Sequence, residues 1–262
     1  MMNFYKTEAI VLRDYDLGEQ DKIVLFYSRK YGKIKTVVKG ARRIKSRFSS
    51  AIQPPSYDTL VVYKSQRGDL DTLSECKIKH PFLKIRKSLV RFAYSSYLAE
   101  LIIKLTEEGE PCAVLFYLLL KSLFLLERIS EPHLHLLIHS FELKLLDILG
   151  YRPSLEKCVN CGKKMELIKS PHLSIRLGGI LCEACQKEDK KGLVVSKKLI
   201  KLMEHLLYLR LERACQLKVN EDMEGQLEMV LESHLSHHLR GEMATPLFIR
   251  NFERLELGKK TL

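Results

Sequence analysis

Five short runs within the first eighty residues, FYKTEAIVL, KIVLFYS, KIKTVV, YDTLVVY and DLDTLSECKI, read as strands. They are rich in Val, Ile, Thr and Tyr, and Gly, Asp, Pro or Ser separates them. Five strands in so short a stretch predict a small barrel. The longest interruption, GARRIKSRFSSAIQPPS, falls between the third and fourth runs, where a five-stranded Greek-key barrel of the OB type places its longer connection. An SH3-like barrel would give a similar string.

At Pro81 the texture changes. Leu83, Leu89, Val90, Ala93, Tyr97, Leu98, Leu101 and Ile102 recur at helical spacing. A second helix is predicted from near Pro111, and a third from the Glu131-Pro132 pair to Gly150, a natural left-handed cap. The pattern fails between 151 and 192. It resumes after Ser196 and again after Asn220, both suited to N-caps, and Thr245-Pro246 suggests a last short helix. The expected class is therefore α+β, with a barrel over 1–80 and a helical domain over 81–262 that carries an inserted module at 151–192.

That insert holds CVNC at 158–161 and CEAC at 182–185, separated by twenty residues. Two residues between cysteines let one tight turn aim both thiolates at one ion, and Gly162 lets the chain fold back. Cys158, Cys161, Cys182 and Cys185 thus predict one structural Zn2+ per chain, since four thiolates leave no open position for water or substrate. An iron–sulfur cluster or unpaired thiols are the alternatives. Cys76, Cys112 and Cys215 sit in apolar settings and read as inert core residues.

The formal net charge is +12, and residues 1–80 hold 16 Lys and Arg against 9 Asp and Glu. Nine of those cations fall in the nineteen residues RKYGKIKTVVKGARRIKSR, 29–47, without one acid. Cations packed this closely repel one another unless solvent screens them or an anionic partner neutralises them. Beside a barrel of OB type, with Tyr31, Phe48 and Tyr57 in or just after the run, they point to nucleic acid held by phosphate neutralisation and base stacking. Lys33, Lys35, Lys39, Arg42, Arg43, Lys45 and Arg47 are the expected contacts.

Other chemistries find less support. Asp14, Asp16, Glu19 and Asp21 could hold a divalent ion for nuclease work, although carboxylates in a turn are more often solvated or ion-paired. His135, His139, His234, His237 and His238 form no HExxH arrangement, and neither GxxxxGK[ST] nor GxSxG occurs. The N-terminal MMNFYKTEAIVLRDYD mixes charges into its apolar stretch, so no signal peptide is expected. The apolar segment at 112–126 is shorter than the roughly 20 residues that span a bilayer and reads as a buried helix. With seven cysteines, an odd number, reduced thiols in the cytoplasm are expected.

The order of these features resembles the RecO family of DNA repair and recombination mediators over nearly the whole chain. The likeness is carried by the GEQD element at 18–21, by KGARR at 39–43 with Ser46, and by the two cysteine pairs. It implies an N-terminal OB domain, a helical C-terminal domain with a zinc finger, and no enzymatic active site. It further implies binding of single- and double-stranded DNA, annealing of complementary strands, and work with RecR to load RecA on DNA coated by single-strand binding protein. The acidic tail of single-strand binding protein would dock on the helical domain, and the protein would be cytoplasmic and nucleoid-associated, away from any membrane. GEQD becomes barrel framework, and the KGARR likeness covers Lys39, Arg42 and Arg43. An RNA-binding or transcription-associated zinc-ribbon protein and a metal-dependent nuclease remain as alternatives.

Overall fold

A computed structural model describes residues 4–66 and 70–239, together with Met243 and Thr245. Strands β1 (Phe4–Leu17), β2 (Asp21–Ser28), β3 (Gly32–Val38), β4 (Tyr57–Tyr63) and β5 (Asp71–His80) close into a barrel in the order β1-β2-β3-β5-β4. Every pairing is antiparallel except β3 with β5. Alternate residues point inward as the two-residue repeat of a strand requires. Ala9, Val11, Val24, Phe26, Leu60 and Val62 form the core, and Ala41, Phe48 and Ile52 enter it from the β3–β4 connection.

β1 runs past the expected run, as far as Leu17. Its first half pairs with β4 and its second with β2, and the register shifts between Val11 and Arg13. Such a bulge bends a strand, which lets one strand serve two neighbours around a closed sheet. Asp14 and Asp16 consequently lie in a strand, and only Gly18, Glu19 and Gln20 form the turn.

Helices α1 (Leu83–Arg86), α2 (Leu89–Leu105) and α3 (Ala113–Arg128) follow. Ser88 caps α2 by accepting a bond from the Arg91 N–H. Leu83 and Leu89 are exposed, whereas Ala93, Tyr97, Leu98, Leu101 and Ile102 are buried. The apolar segment expected to form a buried helix is α3, which buries Leu115, Phe116, Leu119, Leu123 and Leu126. The change from strands to helices falls between His80 and Leu83, but the chain divides into compact units later. One reaches from the N-terminus to Arg128 and takes in Met243 and Thr245; the other begins at Ile129. Bonds within the first unit reach from the barrel to its helices, including His80 Nε2 to Glu127 Oε2 at 2.8 Å.

In the second unit α4 (Leu134–Ile148) follows a single turn opened by Glu131-Pro132, and it ends where the Tyr151 N–H donates to the Leu146 carbonyl at 2.7 Å around Gly150. A small sheet of order β7-β6-β8 comprises β6 (His172–Ser174), β7 (Gly179–Leu181) and β8 (Leu193–Val194). Helices α5 (Lys197–Tyr208), α6 (Leu211–Ala214) and α7 (Glu221–His238) complete it, α5 capped by Ser196 and α7 by Asn220. Leu136 and Leu143 of α4, Leu173 and Ile180 of the small sheet, Met203 of α5 and Leu231 of α7 share one core. The helix expected after Thr245-Pro246 lies outside the described residues, apart from Thr245 itself. Among the described residues no helix is long and apolar enough to cross a membrane.

Candidate nucleic-acid interface and metal centre

The basic run folds as β3 and the start of the β3–β4 connection. Ala41 and Phe48 insert into the barrel core, so the intervening loop is anchored at both ends. Two successive turns shape it, with Arg43 N–H donating to the Gly40 carbonyl at 3.2 Å and Ser46 N–H to the Arg43 carbonyl at 2.9 Å. The GEQD hairpin braces it from one side. The Asp21 carboxylate accepts the Gly40 N–H at 2.7 Å, and the Gln20 carbonyl accepts the Arg42 N–H at 3.0 Å. Gln20 Oε1 takes two bonds from the Arg43 guanidinium at 2.9 and 2.7 Å, and Arg42 reaches the Gly18 carbonyl at 3.0 Å. Gly18 makes this hairpin possible, because its φ of +59° lies in the left-handed region that side chains disfavour.

Lys35, Lys39, Arg42, Arg43, Lys45 and Arg47 are exposed. Lys35, Lys39 and Lys45 have no ion-pair partner among the described residues. Arg47 donates to the Ser74 carbonyl at 2.9 Å and lies 4.7 Å over the Phe48 ring. A guanidinium has five N–H donors, so these bonds aim each Arg and leave donors for a second partner.

Lys33 departs from its expected role. Its side chain is buried, 8% exposed, and its ammonium donates to the carbonyls of Ile103, at 2.7 Å, and Thr106 at the end of α2. Lys33 lies on the same face of β3 as Lys35, but the end of α2 covers it there, so it is withdrawn from the phosphate-contacting set. Two of the three aromatics expected to stack on bases are likewise occupied. Phe48 fills the core, and Tyr57 donates its hydroxyl to Glu8 at 2.7 Å with the Lys79 ammonium 4.9 Å from its ring. Tyr31 is partly exposed and packs on Tyr5 with ring centroids 4.4 Å apart.

Three of the four carboxylates in the acidic cluster are engaged by neighbours. Lys22 bonds Asp14 and lies 3.6 Å from Asp16, which is 3.4 Å from Arg42. Asp21 is spent on the loop backbone. Among the described residues only Cys158, Cys161, Cys182 and Cys185 form a group of three or more His, Cys, Asp or Glu with ligand atoms close enough to share an ion.

Those four sulfurs all lie within 4.8 Å of one another. The first knuckle closes through Gly162 N–H to the Cys158 carbonyl at 2.9 Å, with Gly162 at φ +75°, and the second through Cys185 N–H to the Cys182 carbonyl at 2.9 Å. The sulfurs also accept bonds, Cys158 from the Cys182 N–H at 3.4 Å and Cys185 from the Asn160 amide at 3.3 Å. Burial pushes the Cys158 thiol up, but N–H groups of Cys161, Cys182 and Asn160 outweigh it and hold it at about 6. The Asn160 amide favours the Cys185 thiolate, yet burial and the sulfurs of Cys182, Cys161 and Cys158 push that thiol up to about 12. Thiolates this close repel one another, and a divalent cation would supply the opposite charge that brings them together. The donor set fits a closed tetrahedral metal site.

Comparison with known proteins identifies the family. The family described as "Recombination protein O N terminal" matches residues 2–82, and "Recombination protein O C terminal" matches 86–245. The chain belongs to the RecO family. It is 36% identical over 257 residues to "DNA repair protein RecO" of Pelotomaculum thermopropionicum, covering 98% of each chain. It is 34% identical to the protein of the same name from Alkaliphilus metalliredigens, covering 97% of this chain and 98% of that one. Within this RecO-family chain the sequence offered no pattern for the bracing of the basic loop, because Gln20 and Ser74 are distant from it in sequence and polar residues of no special type. Nor did it distinguish Lys33 from its neighbours: the alternation of β3, counted from the buried Val38, puts Lys33 and Lys35 on the same outward face, and only the end of α2 separates them. The histidines are absorbed locally: His139 bonds Glu142 at 2.9 Å, and His234 meets the Tyr151 carbonyl at 2.7 Å.

Proposed function

We propose that this protein is a DNA-binding recombination mediator with no catalytic residues, and that the exposed cations from Lys35 to Arg47 hold phosphates. One observation carries the reading. A loop that carries cations on both sides of its apex is anchored in the barrel core at both ends and braced by the GEQD hairpin, so its charges stand in place before a ligand arrives. Preorganised cations bind a polyanion without first losing their own freedom, and neutralised strands can approach one another, which is what annealing demands. The same neutralisation serves single- and double-stranded DNA. Membership of the RecO family supports the finer role, in which the protein works with RecR and meets the acidic tail of single-strand binding protein, so that RecA is loaded on the coated DNA in the cytoplasm at the nucleoid. One Zn2+ bound by Cys158, Cys161, Cys182 and Cys185 would be structural.

The test is the salt dependence of binding. Replacing Lys39, Arg42 and Arg43 together by Ala should lower the slope of log affinity against log salt on single-stranded DNA by about 2, at roughly 0.7 per phosphate contact. The loss should be nearly independent of base sequence. An unchanged slope in a folded variant would mean that DNA binds elsewhere.

A further inference from the structure

The apex of the braced loop is not itself a cation. Ile44 occupies the turn from Arg43 to Ser46 and is 103% exposed, more open than any other large apolar residue described in the chain. A single exposed aliphatic side chain is ordinary on a protein surface. Three features distinguish this one. The loop is held on both sides by Ala41 and Phe48 in the barrel core and by the bonds that Gly40 and Arg43 donate to Asp21 and Gln20, so the side chain is presented on a fixed support. Four of the five residues around it are cations, Arg42 and Arg43 before it and Lys45 and Arg47 after it, with Ser46 between the last two. And nothing of the barrel covers it.

We infer that Ile44 is a wedge that inserts between neighbouring bases of a strand whose phosphates the flanking cations hold. The inference rests on the reading of this loop as the phosphate-contacting face. Cations on both sides of the apex would grip successive phosphates, and what lies between successive nucleotides is the stacked, apolar edge of the bases. An apolar side chain aimed there gains burial that it lacks in water and weakens the stack it enters, as aliphatic wedges do in proteins that kink DNA. A mediator would gain from this, because a strand with interrupted stacking has its base edges free to pair with a complement.

The experiment uses the full-length protein and single-stranded oligonucleotides carrying 2-aminopurine, whose emission rises when it is unstacked. The natural protein should raise the emission on binding. Ile44→Ser should remove most of that rise and weaken binding about tenfold, with the salt slope unchanged because no phosphate contact is lost. Ile44→Leu should behave as the natural protein. Ile44 contacts nothing that stabilises the barrel, so the melting temperature serves as the check on folding. If Ile44→Ser binds and unstacks as the natural protein does while the Lys39, Arg42 and Arg43 triple variant loses slope, the wedge is overturned and the basic face stands. If the triple variant keeps its slope, the reading of the loop fails and the wedge falls with it.

Discussion

Lys33 belongs to the run of nine cations but spends its ammonium on the last carbonyls of α2. Burial pushes its pKa down, against the pull of Glu108 and Glu107. Replacing it by Met keeps the apolar stem and removes the charge, leaving the Ile103 and Thr106 carbonyls without their donor. That should cost about 1–3 kcal/mol of stability, seen as a lower melting temperature, while the salt slope of DNA binding stays unchanged. Lys39→Ala should do the reverse. Glu8 is a second residue whose role is structural. Lys79 and the Tyr57 hydroxyl bond its carboxylate and Arg29 adds a third contact at 3.0 Å, which together outweigh burial and hold its pKa at about 2 instead of 4.5. A carboxyl depressed by folding stabilises the fold above about 4.5, and that contribution drains away as the pH falls towards 2. Glu8→Gln should therefore flatten the fall of melting temperature over that acid range. A variant as acid-sensitive as the natural protein would show that the clamp contributes nothing.

At the scale of elements, the cysteine module is joined to its surroundings by packing as well as by metal. Cys158 and Cys182 lie in the same core as Leu136 of α4, Met203 of α5 and Leu231 of α7. Loss of the metal should therefore be felt beyond 151–192. Metal analysis of the purified protein should find about one zinc per chain, and Cys182→Ser should lower that content and destabilise the unit that begins at Ile129. Hydrogen exchange would then show lost protection in α4, α5 and α7 and native protection in β1 to β5. Natural protein free of any metal would defeat this prediction. The barrel shows the converse dependence of an element on its neighbours. β1 continues to Leu17 because Arg13 to Leu17 find partners in Leu25 to Asp21, although Asp14 and Asp16 within it have low strand propensity.

For the whole molecule, what the sequence determined by itself is whatever rests on periodicity and spacing. The two-residue alternation of Val24 and Phe26, or of Leu60 and Val62, can bury a face only in a strand, and α3 buries a stripe that only helical spacing creates. The cysteine pairs were equally legible, since two residues between thiols already set the reach of a knuckle. Charge was legible as a quantity and a location along the chain. Its exposure was not, because tertiary packing decides which side chain meets solvent: Lys33 and Lys35 are identical in type, two positions apart and on one face of β3, yet the nearby end of α2 buries one and leaves the other exposed. The same holds for Phe48, which reads as a base-stacking aromatic and serves as a core plug, and for the division of the chain at Arg128. These depend on contacts between residues far apart in sequence, whose free energies arise from shared burial and bond geometry that no local pattern contains.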